Sequence, residues 1–169
     1  MNKFISQIND ALHILNLDNL EYLKKVVLQN NSEIIILGNG GSNAISSHIA
    51  EDYTKALKKK GLAFTDSARL TCYANDYGYE KTFAQYLSEF STPNSLVILI
   101  SSSGNSKNIL NCALYCKDNN INYIILSGFN SNNQLRSLYK DTALIDFWID
   151  STDYGVVECV HEIILHSVI

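Results

Sequence analysis

The chain has 169 residues, 46% of them apolar and 18% charged, with a formal net charge of −4 at pH 7. These values predict one globular domain over residues 1–169 and exclude a disordered chain. The acidic balance argues against nucleic acid or an anionic membrane as the main partner. The apolar runs fall far short of the ~20 residues of a membrane span. No signal-peptide pattern is present, so we expect a cytoplasmic protein.

About 30 residues precede the first apolar run, and they predict two helices, over 2–15 and 19–29. Their apolar residues recur at helical intervals, so each helix has a face to bury. Four short runs rich in Ile and Val then predict strands at 33–37, 96–100, 123–126 and 144–149, and residues 62–65 could supply a fifth, weaker strand. Segments of helical length lie between and after them, at 42–57, 80–90, 106–118 and 155–169. Alternating helices and wholly apolar strands predict an α/β fold with a doubly wound parallel sheet.

Two polar loops each follow a predicted strand and precede a predicted helix. The glycine loop, residues 38–42, reads Gly-Asn-Gly-Gly-Ser, and the serine loop, residues 101–106, reads Ser-Ser-Ser-Gly-Asn-Ser. Glycines admit a ligand close to the backbone, and the free N–H groups at a helix start attract anions. Hydroxyls without a lysine favour a small phosphomonoester over a nucleoside triphosphate. The alternatives are a tight turn without a ligand and ordinary N-capping by Ser103 or Ser106.

Side chains able to bind a metal or transfer protons recur on two of the predicted helices. They are His48, Glu51 and Asp52 on the first, and Glu158, His161, Glu162 and His166 on the last. His48 and Asp52 are four residues apart and share a helix face. Two imidazoles with carboxylates suit zinc or a similar divalent ion, or acid–base catalysis. Structural or solvent-facing roles remain the alternative.

The two loops, His48 with Asp52, the run Asn75-Asp76-Tyr77-Gly78, and the histidines at 161 and 166 occur in a familiar order and spacing. From about residue 34 onwards the sequence resembles the sugar isomerase (SIS) domain family, most closely its phosphoheptose isomerase branch. The resemblance implies a five-stranded sheet of flavodoxin-like winding. It also implies a homotetramer with active sites at subunit interfaces. The implied reaction converts sedoheptulose 7-phosphate to D-glycero-D-manno-heptose 7-phosphate for bacterial lipopolysaccharide or capsule.

The same resemblance implies the residues of the site. The phosphate contacts are Ser101, Ser102, Ser103 and Ser106. The other substrate contacts are Asn39, Gly40, Gly41, Ser42, Asp52, Asn75, Asp76 and Glu158. The ligands of one zinc ion per subunit are His48, Asp52, Glu158 and His166. Asp52 is expected to act as the base, or as its metal-bound equivalent, and His166 to shuttle protons to the sugar oxygens.

Two positions depart from the family's pattern, which has Glu at position 52 and Gln at position 158. Asp52 has one carbon–carbon bond fewer, roughly 1.5 Å, while Glu158 adds a charge that favours a divalent cation. Glu158 also lies about 12 Å along a helix from His166, so it could contact the substrate instead of the metal. A different phosphosugar substrate is one alternative. A regulatory phosphosugar sensor and a non-catalytic scaffold similar to the replication-initiator-associating proteins are the others.

Overall fold

The computed structural model describes residues 2–169, and five parallel strands form its centre. They are β1 (Glu33–Gly38), β2 (Lys60–Ala63), β3 (Leu96–Ser101), β4 (Asn122–Ser127) and β5 (Ile145–Trp148). Their order in the sheet is β2-β1-β3-β4-β5, and every neighbouring pair is parallel. The winding therefore reverses between β1 and β3. The doubly wound, five-stranded α/β fold expected from the sequence is confirmed.

Eight α-helices surround this sheet in the described part of the chain. They are α1 (Lys3–His13), α2 (Leu17–Gln29), α3 (Gly41–Lys55), α4 (Ser67–Tyr77), α5 (Thr82–Phe90), α6 (Lys107–Asp118), α7 (Gln134–Tyr139) and α8 (Tyr154–His166). A single 3-10 turn, Tyr79–Lys81, precedes α5. The sequence pattern does not predict α4 and α7, and it sets β2 two residues too late. No helix within residues 2–169 is both long and apolar enough to cross a bilayer.

Two apolar cores lie on opposite faces of the sheet because successive strand residues point to opposite sides. In β1, Ile34 and Ile36 join the core beneath α1, α2, α3 and α8, whereas Ile35 and Leu37 join the core beneath α4 to α7. Burial on both faces explains why the strands carry no alternating polar residues. The sheet therefore has one face for α3 and α8 and another for α4 and α6.

A buried hydrogen bond joins α3 and α8 on their shared face of the sheet. The Tyr53 hydroxyl of α3 donates to the main-chain oxygen of Leu165 at 2.8 Å. Leu165 lies in the last turn of α8, where carbonyl groups have no partner within the helix. The bond therefore caps α8 and sets it against the C-terminal half of α3, near the side chains of both helices that could bind a metal.

Candidate active site

The glycine loop and the serine loop start side by side at the carboxyl edge of the sheet. Gly38, where the glycine loop begins, pairs with Ile100 of β3, and Ser101 follows directly. The winding reverses between these two strands, and open α/β sheets bind their ligands at such a point. The two loops that are predicted to hold a phosphosugar therefore lie next to each other at the edge of the same crevice.

Backbone conformation favours glycine at one position of the glycine loop, and close packing favours it at another. Gly40 has a φ of +54°, in the left-handed region that favours glycine. A side chain on Gly41 would collide with the carboxylate of Glu158 from α8. Ser42 is buried behind the loop, and its carbonyl accepts a hydrogen bond from Ser46 at 2.7 Å. The loop thus brings exposed backbone close to α8.

The side chain of Asn39 is anchored within the protein. Its amide exchanges two hydrogen bonds, of 2.9 and 2.8 Å, with the buried amide of Asn108 on α6. Its oxygen also accepts a 2.8 Å bond from the Tyr79 hydroxyl. Asn108 and Tyr79 were missed by sequence reasoning, because neither lies in a motif and only the fold brings them to Asn39. Asn39 therefore ties the glycine loop to α6.

The serine loop keeps hydroxyls that ordinary capping does not use. Ser106 is the N-cap of α6 but makes no side-chain capping bond, and instead accepts a 3.2 Å bond from Ser101. The hydroxyl of Ser102 is buried without a hydrogen-bond partner among the described residues. Ser103 accepts a bond of 3.3 Å from the Asn105 N–H. Because buried polar atoms are normally paired, the Ser102 hydroxyl is suited to a ligand.

The structure brings together the His, Asp and Glu side chains of α3 and α8 that could bind a metal. Asp52 Oδ2 lies 3.0 Å from His166 Nε2 and 3.4 Å from His48 Nε2. The two imidazole rings meet edge to face, with centroids 5.0 Å apart. Glu162 Oε1 lies 2.9 Å from His48 Nδ1. We call these four residues the imidazole cluster.

Glu162 joins the cluster although the family resemblance assigns it no role. Its sequence signal is its position four residues before His166, which places both on one face of α8. Its hydrogen bond is the main cause of a raised pKa at His48, and Asp52 and Glu51 add smaller charge effects. Glu51 is exposed and contributes only through its charge.

The donor atoms of the cluster fit a divalent cation. Ligand atoms of His48, Glu162 and His166 lie within 4.8 Å of one another, and Asp52 Oδ2 contacts both imidazoles. Imidazole nitrogens with carboxylate oxygens are the donors that zinc takes at catalytic sites. This part of α3 and α8 can therefore hold a metal ion.

Glu158 stands apart from the cluster, although the family resemblance implies that it is a zinc ligand. It lies one turn before Glu162 on α8, and its carboxylate is against Gly41 of the glycine loop. Partial burial raises its pKa. A groove of about 500 Å³ between α3 and α8 runs from Gly41 past Glu158 to His48 and Glu162. Glu158 thus lies between the loop and the cluster, and its role remains a prediction.

Three other candidate residues lie away from the cluster. Asn75 and Asp76 are exposed near the end of α4, on the opposite face of the sheet, where Asn75 donates a 2.9 Å bond to Asp76. His161 is fully buried in α8, with its Nε2 3.1 Å from the carbonyl of Ser127. A larger groove, of about 560 Å³, lies at the amino ends of the strands, remote from these side chains.

Comparisons with known proteins agree with this fold. The SIS domain model matches residues 3–128, and the chain belongs to this family. Phosphoheptose isomerase of Helicobacter pylori (strain Shi470) is 37% identical over 145 residues, covering 82% of this chain and 73% of that protein. Phosphoheptose isomerase of Tolumonas auensis is 30% identical over 161 residues, covering 92% and 80%. Within the SIS family, the chain therefore falls in the phosphoheptose isomerase branch.

Solved structures show the same fold. A phosphoheptose isomerase from Neisseria gonorrhoeae superposes with a TM-score of 0.86 at 24% identity, covering 98% of this chain and 91% of that one. A phosphoheptose isomerase from Francisella tularensis gives a TM-score of 0.84 at 22% identity, covering 97% and 89%. At these identities the likeness establishes the architecture, and the chemistry must be argued from the site.

Proposed function

We propose that the chain is an aldose–ketose isomerase that converts sedoheptulose 7-phosphate to D-glycero-D-manno-heptose 7-phosphate. The observation that carries this proposal is the 3.0 Å contact between Asp52 Oδ2 and His166 Nε2, beside a groove that opens on the glycine loop. Kinship with the phosphoheptose isomerases supports the choice of substrate.

In this proposal the serine loop holds the phosphate. The hydroxyls of Ser101, Ser102, Ser103 and Ser106 donate to phosphate oxygens, and the unpartnered Ser102 hydroxyl supports this assignment. The N–H groups at the start of α6 add a favourable field for the anion. The sugar then contacts Asn39, Gly40, Gly41 and Ser42 of the glycine loop, with Glu158 beside them. The proposal also retains Asn75 and Asp76 as sugar contacts.

Isomerisation moves a proton between two adjacent carbons through an enediol, whose negative charge must be stabilised. Asp52 removes the proton from the carbon next to the carbonyl group and returns it to the neighbouring carbon. His166 moves a proton between the two oxygens. Because the two side chains touch each other, a substrate that reaches one is within reach of the other.

We assign the ion to zinc, one per subunit, held by His48, Asp52 and His166. Glu158 is the fourth ligand implied by resemblance, and its contact with Gly41 favours a role toward the substrate instead. When bound, zinc acts as a Lewis acid at the carbonyl oxygen and stabilises the charge of the enediol. The contacts of Asp52 Oδ2 with both imidazoles support this assignment.

The first test is turnover of sedoheptulose 7-phosphate, followed by NMR, with zinc and with a chelator in parallel. We expect turnover that the chelator abolishes. Asp52→Asn should lower kcat by about 100-fold or more, because it removes the general base. Glu51→Gln, one position earlier and exposed, is the matched control and should retain activity.

Asp52 and Glu158, the two departures from the family's pattern, make a different phosphosugar the second candidate. If folded, zinc-loaded protein leaves the seven-carbon ketose unchanged, ketose phosphates of other lengths should be assayed next. Turnover of one of these would move the assignment to that sugar. Absence of any turnover, with phosphosugar binding retained, would favour a sensor, and loss of both would favour a scaffold.

The proposal extends to a cytoplasmic homotetramer with active sites between subunits, supplying heptose for lipopolysaccharide or capsule. His48 is 54% exposed in the single chain, which leaves room for a second subunit to cover the cluster. Sedimentation equilibrium should give four times the chain mass of 18.9 kDa. A monomer with full activity would overturn the interface part of the proposal.

A further inference from the structure

Glu162 binds both imidazoles of the cluster, each through a different group. Its side-chain Oε1 lies 2.9 Å from His48 Nδ1, and its main-chain oxygen lies 3.0 Å from His166 Nδ1. The first contact crosses from α8 to α3, and the second stays within one turn of α8. One residue thus contacts the Nδ1 atom of both histidines.

The chemistry of these contacts fixes the hydrogens on the rings. A carboxylate oxygen and a carbonyl oxygen can only accept a hydrogen bond, so each Nδ1 must carry the hydrogen. In a neutral ring, Nε2 then keeps a lone pair. Both Nε2 atoms face Asp52 Oδ2, at 3.4 Å for His48 and 3.0 Å for His166. Three electron-donating atoms therefore converge, and a proton or a metal ion must balance them.

We propose that Glu162 is a positioning residue, which holds both imidazoles as Nδ1–H tautomers so that the two Nε2 atoms and Asp52 Oδ2 bind one divalent cation. The inference deepens the proposed function and rests on it for the cation. A carboxylate or carbonyl behind a metal-binding imidazole fixes the orientation of the ring and strengthens it as a ligand. Here a single residue supplies both kinds of acceptor.

The two contacts respond differently to substitution. Replacing the side chain of Glu162 removes the acceptor for His48 but leaves the main-chain acceptor for His166. In Glu162→Ala, therefore, only His48 should lose its preference for the Nδ1–H tautomer. Glu162→Gln keeps a side-chain oxygen that accepts a hydrogen bond from Nδ1–H, so His48 should keep its Nδ1–H tautomer in this variant. The Glu162 side chain is 38% exposed, so both variants should fold.

The first experiment is NMR of protein labelled with ¹⁵N in histidine and saturated with Zn²⁺, whose charge balances the three donor atoms. We expect His48 and His166 to be Nδ1–H tautomers in the native chain. In Glu162→Ala, His48 should become a mixture of tautomers while His166 is unchanged, and Glu162→Gln should return His48 to one tautomer. An Nε2–H tautomer at either histidine of the native chain would overturn the proposal.

The second experiment is calorimetric titration with Zn²⁺ and Co²⁺ in the absence of substrate. Glu162→Ala should weaken binding by about 10- to 100-fold, and Glu162→Gln should remain within a few-fold of the native chain. Glu51→Ala removes the same charge from an exposed site nearby and should leave binding close to native.

Three results would contradict the proposal. Equal losses in Glu162→Gln and Glu162→Ala would make Glu162 a direct ligand. Native affinity in Glu162→Ala would remove its role in cation binding. Failure of the native chain to bind either metal would reject the cation site, whatever the tautomers. Turnover is measured separately, so these results are distinguishable from failure of the isomerase assignment.

Discussion

At the scale of single residues, His161 shows how burial sets the charge of a side chain. The ring is fully buried on α8, with one nitrogen bonded to Ser127 and its Nδ1 without a hydrogen-bond partner within residues 2–169. Burial penalises the charged form and lowers the pKa of His161 to about 4. His161 is therefore neutral near pH 7, and it contributes to packing and not to the cluster.

This neutral histidine predicts a loss of stability in mild acid. The unfolded chain protonates His161 near pH 6.5 and the folded chain near pH 4, so between these values the unfolded state binds more protons. The free energy of unfolding should fall by about 3 kcal/mol as the pH falls through this window. Urea unfolding of the native chain and His161→Gln should show this slope only in the native chain. Equal slopes in both would refute the assignment.

Sequence reasoning names all four cluster residues as candidates, but the resemblance gives a role to only three of them, and Glu162 shows the limit. His48, Asp52 and His166 follow from the resemblance, and spacing explains why His48 and Asp52 share a face. Glu162 has the same helical spacing from His166, yet spacing alone cannot say that its carboxylate reaches His48 on another helix. That contact depends on how α3 and α8 cross, which is a property of packing.

At the scale of elements, the pairing of α3 with α8 depends on Tyr53. Tyr53→Phe removes the 2.8 Å bond to Leu165 and leaves a buried carbonyl unpaired. We expect a loss of about 1–2 kcal/mol in the free energy of unfolding, with lower turnover because His166 is the next residue. Tyr22→Phe, at an exposed hydroxyl on α2, is the control for urea unfolding. A native value for Tyr53→Phe would show that α8 is held by its apolar face alone.

The strands are predictable because burial on both faces leaves wholly apolar runs. Helices α4 and α7 are not, for different reasons. Only Tyr73 of α4 is buried, so α4 has little apolar periodicity, and α7 spans six residues. Their capping residues were the available signal, since Asp66 and Asn133 each accept a hydrogen bond from the N–H three positions later.

At the scale of the whole molecule, two cores share one sheet, so they should unfold together. Leu23 lies in the core beneath α3 and α8, and Leu87 lies in the opposite core. Leu23→Ala and Leu87→Ala should each lower the free energy of unfolding by about 2–5 kcal/mol. Fluorescence of Trp148, the single tryptophan, and far-UV circular dichroism should report one shared midpoint. Separate midpoints would mean that the two faces unfold independently.

The partners Asp52 and His166 are 114 positions apart in the chain. When the ribosome has made the glycine loop, the serine loop and all five strands, it has still not added Glu162 and His166, the members of the imidazole cluster on α8. A nascent chain short of α8 therefore has no acid–base pair, however well its sheet has formed. Under the proposed function, sugar chemistry begins only after α8 has emerged and docked, so an incomplete chain cannot start the reaction.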